Sequence, residues 1–246
     1  MTMSLAKKTK HVFPRHLLLS SGLLAGLFLL GQALAPGFLA PEQIMTILSL
    51  SSFLGILALG QTVVIISGGE GIDLSIGAMV SLSSVIAAQI INKQSDILLP
   101  ACVLVAGVGF VVGCVNGLGV TVFRIPPLVM TLAMTSILQG SALVYTGGQP
   151  KGGASELLRA IGTGRSGPFS NMLFVWMLLA AASILILRKT RLGSILYGVG
   201  GNPVTASLSG ANSRMVRTMA FAACGVVSAL GGMLLLGYTG TAYLDI

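Results

Sequence analysis

The chain has 246 residues, of which 54% are hydrophobic and 8% charged, with 33 glycines and a formal net charge of +8. A soluble domain carries about 25% charged residues, so this composition excludes a soluble globular protein, and the long apolar runs point to membrane helices, not a membrane barrel. The basic residues sit in short loops beside apolar segments, where they orient spans in the bilayer and do not mark nucleic-acid binding.

Residues 1–16 form a basic leader with Lys7, Lys8, Lys10 and Arg15, which predicts a cytoplasmic N-terminus. The apolar run over 17–35 resembles a signal peptide but is long, and no soluble domain follows it, so it reads as a retained first span. Residues 17–246 are expected to form one transmembrane domain. Further spans are predicted at about 44–67, 72–91, 97–123, 128–145, 171–187 and 218–238, which makes about seven. The span at 97–123 is long enough to tilt or break. The expected class is an all-α integral membrane protein, a polytopic helical bundle. Ten Lys and Arg fall on the predicted inner segments, five of them in the loop 188–217, against Lys93, Lys151, Arg159 and Arg165 outside. That bias supports the alternation.

The loop 188–217 carries the only long cluster of positive charge between apolar segments. Inside it Asn202 is a candidate N-cap, Pro203 takes the first helical position, and Gly210 stands where a left-handed residue ends a helix. The helix has room for about two turns, which is marginal in isolation. It should therefore be held by a neighbour, and in a membrane protein a soluble partner is the expected one. An ordinary inter-span loop is the alternative.

Two further stretches stand out. In SGGEGIDLSIG (67–77), Asp73 is the one acidic residue that borders a long apolar helix with no basic residue nearby. It can cap the start of the third span; a proton-transfer or substrate role is the sharper alternative. The glycines there suit a tight turn or irregular backbone at membrane depth. In GFVVGCVNG, Gly109, Gly113 and Gly117 recur every four residues and give a flat face for helix contact, with Asn116 able to bond across helices or to line a path.

The negatives narrow the function. There is no phosphate loop, no zinc-protease or serine-hydrolase motif, and no paired carboxylates. His11 and His16 lie in the leader, and Cys102, Cys114 and Cys224 fall inside apolar segments without metal spacing, so neither metal nor cofactor is expected. An intramembrane enzyme is disfavoured. So is proton coupling, because the spans carry almost no ionisable groups; energy for transport would come from another subunit.

Three stretches in order then resemble one family, the membrane permeases of binding-protein-dependent ATP-driven importers in the ribose-type sugar branch. SGGEGIDLSIGAMVSLSSVIAA is similar to that family's GGIDLSVG segment, GCVNGLGVTVFRIPPLVMTLAMTSILQG to its NG…IPPFIVTLG segment, and TRLGSILYGVGGNPVTASLSG to its segment ending GGN-x-x-A-A-x-x-S-G. The resemblance implies a permease that pairs with a second permease subunit, identical or not, two cytoplasmic ATP-binding subunits and a periplasmic sugar-binding protein, in a bacterial inner membrane. It implies that the loop helix couples to the ATPase, through Gly201, Asn202, Ala206 and Gly210. It carries Gly71, Asp73, Ser75 and Gly77 into one motif, and Asn116, Gly117, Pro126, Pro127 and Thr131 into the next. The sequence departs from the pattern at Glu70–Gly71, at Leu128 and Gln139, and at Thr205 and Ser207. The family has about ten spans and continues past the equivalent of YLDI, so the chain is expected to be C-terminally truncated. A stand-alone channel or secondary carrier for a small neutral solute, and an inactive truncated permease, are the alternative functions.

Overall fold

Long apolar runs fold as helices in a membrane because a helix satisfies every backbone polar group within the segment. A computed structural model describes residues 15–242, and its helices follow those runs. The expected leader 1–16 lies outside the described residues except for the first two residues of α1 (Arg15–Leu34). Then come α2 (Pro41–Ile66), α3 (Ile76–Ile91), α4 (Leu98–Thr121), α5 (Pro127–Thr146), α6 (Glu156–Gly162), α7 (Asn171–Lys189), α8 (Arg191–Gly201), α9 (Pro203–Leu208) and α10 (Ser213–Thr239). The chain is an all-α polytopic membrane protein. Among the described residues, six helices are long and apolar enough to cross a bilayer, and α3 is a shorter apolar one.

The chain divides into two units, one ending at Ile47 and the other running from Leu48. In the first, the α1–α2 connection is closed by Phe28 edge-on to Phe38 at 5.8 Å and by Gln32 Oε1 accepting from the Leu39 amide at 2.9 Å. In the second, α10 is the axis. It packs against α4, α3, α6 and α8, and it is the most buried of the long apolar helices. The Gly109, Gly113 and Gly117 face does what its spacing predicts. A Cβ on Gly109 would run into the Gly225 carbonyl, and one on Gly117 would lie 2.6 Å from Thr218 Cα. So α4 and α10 touch backbone to backbone, as helices in lipid do when small residues line the contact. The helix α4 is continuous, with no break.

The expected third span is corrected. Helix α3 begins at Ile76, not at 72, and has 16 residues, about 24 Å at 1.5 Å per residue against a hydrocarbon core of roughly 30 Å. Eleven of those residues are buried: Ala78 to Val85, Ala87, Ala88 and Ile91. It is a core helix, enclosed by α10, α5 and α4. Asp73 is not its N-cap; Ser75 holds that position, with no side-chain capping bond.

The connections gather at the two ends of α10. At its start, Arg217 meets the turn after α2, donating from Nη2 to the Gly69 carbonyl at 3.3 Å. At its far end, the Gly240 carbonyl accepts from the Ala154 amide at 3.1 Å, and Lys93 N donates to the Gly153 carbonyl at 3.1 Å. The segment 147–170, a Gly- and Ser-rich connection by sequence, contains α6 and a two-residue hairpin, β1 (Arg165–Ser166) with β2 (Phe169–Ser170). Ser155 caps α6 by accepting from Leu158 N at 3.3 Å, and Leu158 is 3% exposed. Gly162 lies against the backbone of Gly237 and Tyr238. A seven-residue helix of this kind exists because α10 supports it.

Candidate functional site

The basic loop folds as two helices joined by an elbow. Thr190 caps α8 by accepting from Gly193 N at 3.4 Å. Asn202 sits at the junction, extended at φ −153°, ending α8 and starting α9. Its Oδ1 accepts from Val204 N and Thr205 N, both at 3.0 Å, and Pro203 follows at the first helical position. At the other end Gly210 is left-handed at φ +87°. There Ala211 N donates to the Ala206 carbonyl and Gly210 N to the Ser207 carbonyl, both at 3.0 Å, which is the Schellman pattern. Ser213 Oγ donates to the Pro203 carbonyl at 3.0 Å and fastens α9 to the start of α10.

Helix α9 buries none of its residues; Val204 is 69% and Leu208 86% exposed. Ala206 lines an open groove of about 400 Å³ between α8 and α9, with Ile195, Gly198 and Asn202. Gly201 is exposed, and a Cβ there would meet nothing within 4 Å. The structure thus brings together Asn202, Ala206 and Gly210 in one small capped helix, with Gly201 on the bend before it. What sequence reading missed is α8. Its apolar residues share a line with polar ones too short to signal a span.

The second constellation is buried. Asp73 Oδ1 accepts from Ser75 N at 2.9 Å and from Ser75 Oγ at 2.6 Å. The same Ser75 Oγ accepts from Asn116 Nδ2 at 3.0 Å. Asp73, Ser75 and Asn116 are exposed by 4%, 2% and 0%. A buried carboxylate without a cation needs several neutral donors, and this turn supplies them. Thr131, 0% exposed, bonds its own helix at the Pro127 carbonyl (2.9 Å) and reaches the Ile72 carbonyl at 3.4 Å. Pro126 and Pro127 open α5 and aim that threonine at the turn. Gly71 is buried, with the Val64 carbonyl 3.0 Å from any Cβ; Gly117 belongs to the α4–α10 contact; Gly77 is exposed, with nothing within 4 Å of a Cβ.

Two contributors had no sequence signal of their own. Gln61 Oε1 accepts from Asp73 N at 3.2 Å, and Thr135 Oγ1 donates to the Leu74 carbonyl at 3.2 Å. The result is a non-helical segment, 67–75, whose backbone is held by side chains of α2 and α5 and whose Ser75 hydroxyl is held by Asn116 of α4. That is how irregular backbone persists among membrane helices. Chemically it is a framework of paired side chains, in which Asn116 Oδ1 is a buried acceptor with no partner among the described residues.

Residues 43–246 match the family model described as the permease component of branched-chain amino acid transport systems. Among curated proteins, the chain is similar to the ribose import permease protein RbsC of Escherichia coli, 30% identical over 205 residues, covering 82% of this chain and 63% of that protein. It is also similar to RbsC of Bacillus subtilis, 34% identical over 219 residues, covering 85% and 66%. The galactose/methyl galactoside import permease protein MglC of Haemophilus influenzae is 33% identical over 236 residues, covering 88% and 70%. The chain thus spans just under two thirds of the length of the ribose import permeases it matches, 63% for the first. No solved structure matches it.

Proposed function

We propose a function on one premise: the chain belongs to the family of permease components of branched-chain amino acid transport systems. It is the membrane-spanning subunit of an ATP-driven importer, carrying a sugar or a similar small neutral solute inward. The relatives named as ribose and galactose/methyl galactoside import permeases support a sugar over an amino acid. So does the polar chemistry of the described core, which is hydroxyl and amide apart from Asp73.

The observation that carries the coupling role is α9. It has six residues, none of them buried, yet both its ends are capped. A helix that short costs stability alone in water, so its preformed, exposed state fits a surface waiting for a partner. The partner is a cytoplasmic ATP-binding subunit, for which Gly201, Asn202, Ala206 and Gly210 form the seat. A second permease subunit and a periplasmic sugar-binding protein complete the assembly in a bacterial inner membrane, with the N-terminus inside. Closing of the ATP-binding subunits moves α9, and the spans alternate between inward- and outward-open states. The energy appears as contacts that differ between those states. Asp73, Ser75, Asn116 and Thr131 hold the turn that the spans move around; their burial supports a framework role over contact with the solute.

The test replaces Gly201 with Arg and Ala206 with Glu. Membrane insertion should persist while co-purification of an ATP-binding subunit and sugar uptake both fall. Unchanged association and uptake would refute the docking assignment.

A further inference from the structure

The elbow and the buried framework are far apart in sequence, and the structure joins them through one turn. Helix α2 ends at Ile66, and Gly68, Gly69 and Glu70 then follow in left-handed geometry at φ 81°, 66° and 56°. The first glycine lies on α8: a Cβ on Gly68 would stand 2.8 Å from Gly200 Cα, and a Cβ on Gly200 would overlap the Ile66 carbonyl. The second lies under α10: a Cβ on Gly69 would overlap the Arg217 guanidinium. Arg217 Nη2 donates to the Gly69 carbonyl at 3.3 Å, while its Nε is buried without a partner. This is a charged side chain making one long bond where it has further donors to give.

Gly200 is two residues from Asn202, the residue that ends α8 and caps α9. On the other side, Asp73 and Ser75 lie four and six residues beyond Gly69, tied to Asn116. A displacement of α9 therefore reaches Gly200 through the bend, Gly68 through backbone contact, and the framework through the short segment 69–75. Elsewhere α8 packs mainly against α7, α9 and α10.

We infer that Gly200 and Arg217 are positioning residues that grip the 67–75 turn, and that this turn transmits movement of the α8–α9 elbow to the buried Asp73–Ser75–Asn116 framework. The inference rests on the importer reading above. Side chains fit at neither glycine because the elbow must seat directly on backbone; slack there would let α9 move without moving the turn. The path is contiguous and packed, and its two ends are each held by specific bonds; a two-state equilibrium that both ends bias is what the experiment below reads.

The experiment uses the chain co-expressed with the ATP-binding subunit that co-purifies with it, in membrane vesicles supplied with binding protein and labelled ribose. Three quantities are read for Gly200→Ala, Arg217→Gln and Arg217→Lys: retained ATP-binding subunit, ATP hydrolysis, and ribose taken up per ATP hydrolysed. Association should stay within twofold of the parent. Uptake per ATP should fall tenfold or more in Gly200→Ala and Arg217→Gln and recover to within threefold in Arg217→Lys, which keeps the charge. Gly107→Ala, on α4 with nothing within 4 Å of its Cβ, should leave all three unchanged. Maleimide labelling of Cys224, 0% exposed, reports any variant that misfolds; if Gly200→Ala does, the Arg217 pair decides. Uptake per ATP within twofold of the parent in a preparation that retains the ATP-binding subunit overturns the relay alone. A parent chain that retains no ATP-binding subunit overturns the importer reading and the relay together.

Discussion

The contact between α4 and α10 gives the most direct test of the packing. Gly107 and Gly109 lie two residues apart on the same helix, and only the second faces α10. A Cβ on Gly109 would overlap the Gly225 carbonyl and lie 2.7 Å from Ala229 Cβ, whereas one on Gly107 would meet nothing within 4 Å. The obstructing atoms are the Gly225 backbone and the Ala229 Cβ, which has no rotamer to change, so no side-chain movement relieves the clash. Restoring the Ala229 Cβ alone from 2.7 Å to an ordinary 3.4 Å contact requires the helices to separate by about 0.7 Å, the nearer Gly225 carbonyl requires more, and the separation thins the contacts at Gly113 and Gly117 as well. Overpacking of this kind costs about 1–3 kcal/mol. Alanine gains up to about 1 kcal/mol of helix propensity over glycine at either position, so the difference between the two variants isolates the contact. With roughly 2–4 °C per kcal/mol for a chain of this size, Gly109→Ala should melt about 2–12 °C below Gly107→Ala. The assay is thermal unfolding in detergent, followed by the reactivity of Cys224 with Cys102 and Cys114 replaced by alanine. Melting temperatures of the two variants within 1 °C of each other would refute backbone contact between α4 and α10.

Asp73→Ala should destabilise by about 2–4 kcal/mol, because it strands the buried Ser75 amide and hydroxyl; Asp73→Asn keeps an acceptor and should cost less than half as much by the same melting assay. Asn202→Ala removes two capping bonds and should cost α9 about 1 kcal/mol, seen as faster tryptic cleavage at Arg214 in inside-out vesicles with little change in melting temperature. Cysteines at Val204 and Lys151, both exposed, should label from opposite sides of the membrane, the first only after permeabilisation; labelling of both in intact cells would overturn the alternation of spans.

Much of the site was legible because its signals are local. Asn202, Pro203 and Gly210 mark a helix through bonds to amides and carbonyls within five residues, and those bonds form as expected. The four-residue glycine spacing on α4 likewise states a face, and the face is used. Where reading failed, the deciding partner was distant. Ile72 and Leu74 look like the first turn of an apolar helix, yet their carbonyls are taken by Thr131 and Thr135, 59 and 61 residues away, and α3 starts later in consequence. Helix α6 needs the end of α10 beneath it, which no window around Leu158 contains.

The sequence by itself determined the class of protein, the long spans, the basic loop and the caps of α9, since hydropathy, charge and capping act over one element or less. Only the tertiary structure decided that α3 is a short buried helix, that the basic loop bends into two helices, and that Gly200 and Arg217 meet the turn beyond Gly68. Those outcomes depend on which backbone atoms come within contact of one another across the bundle, and a one-dimensional pattern carries no term for that distance.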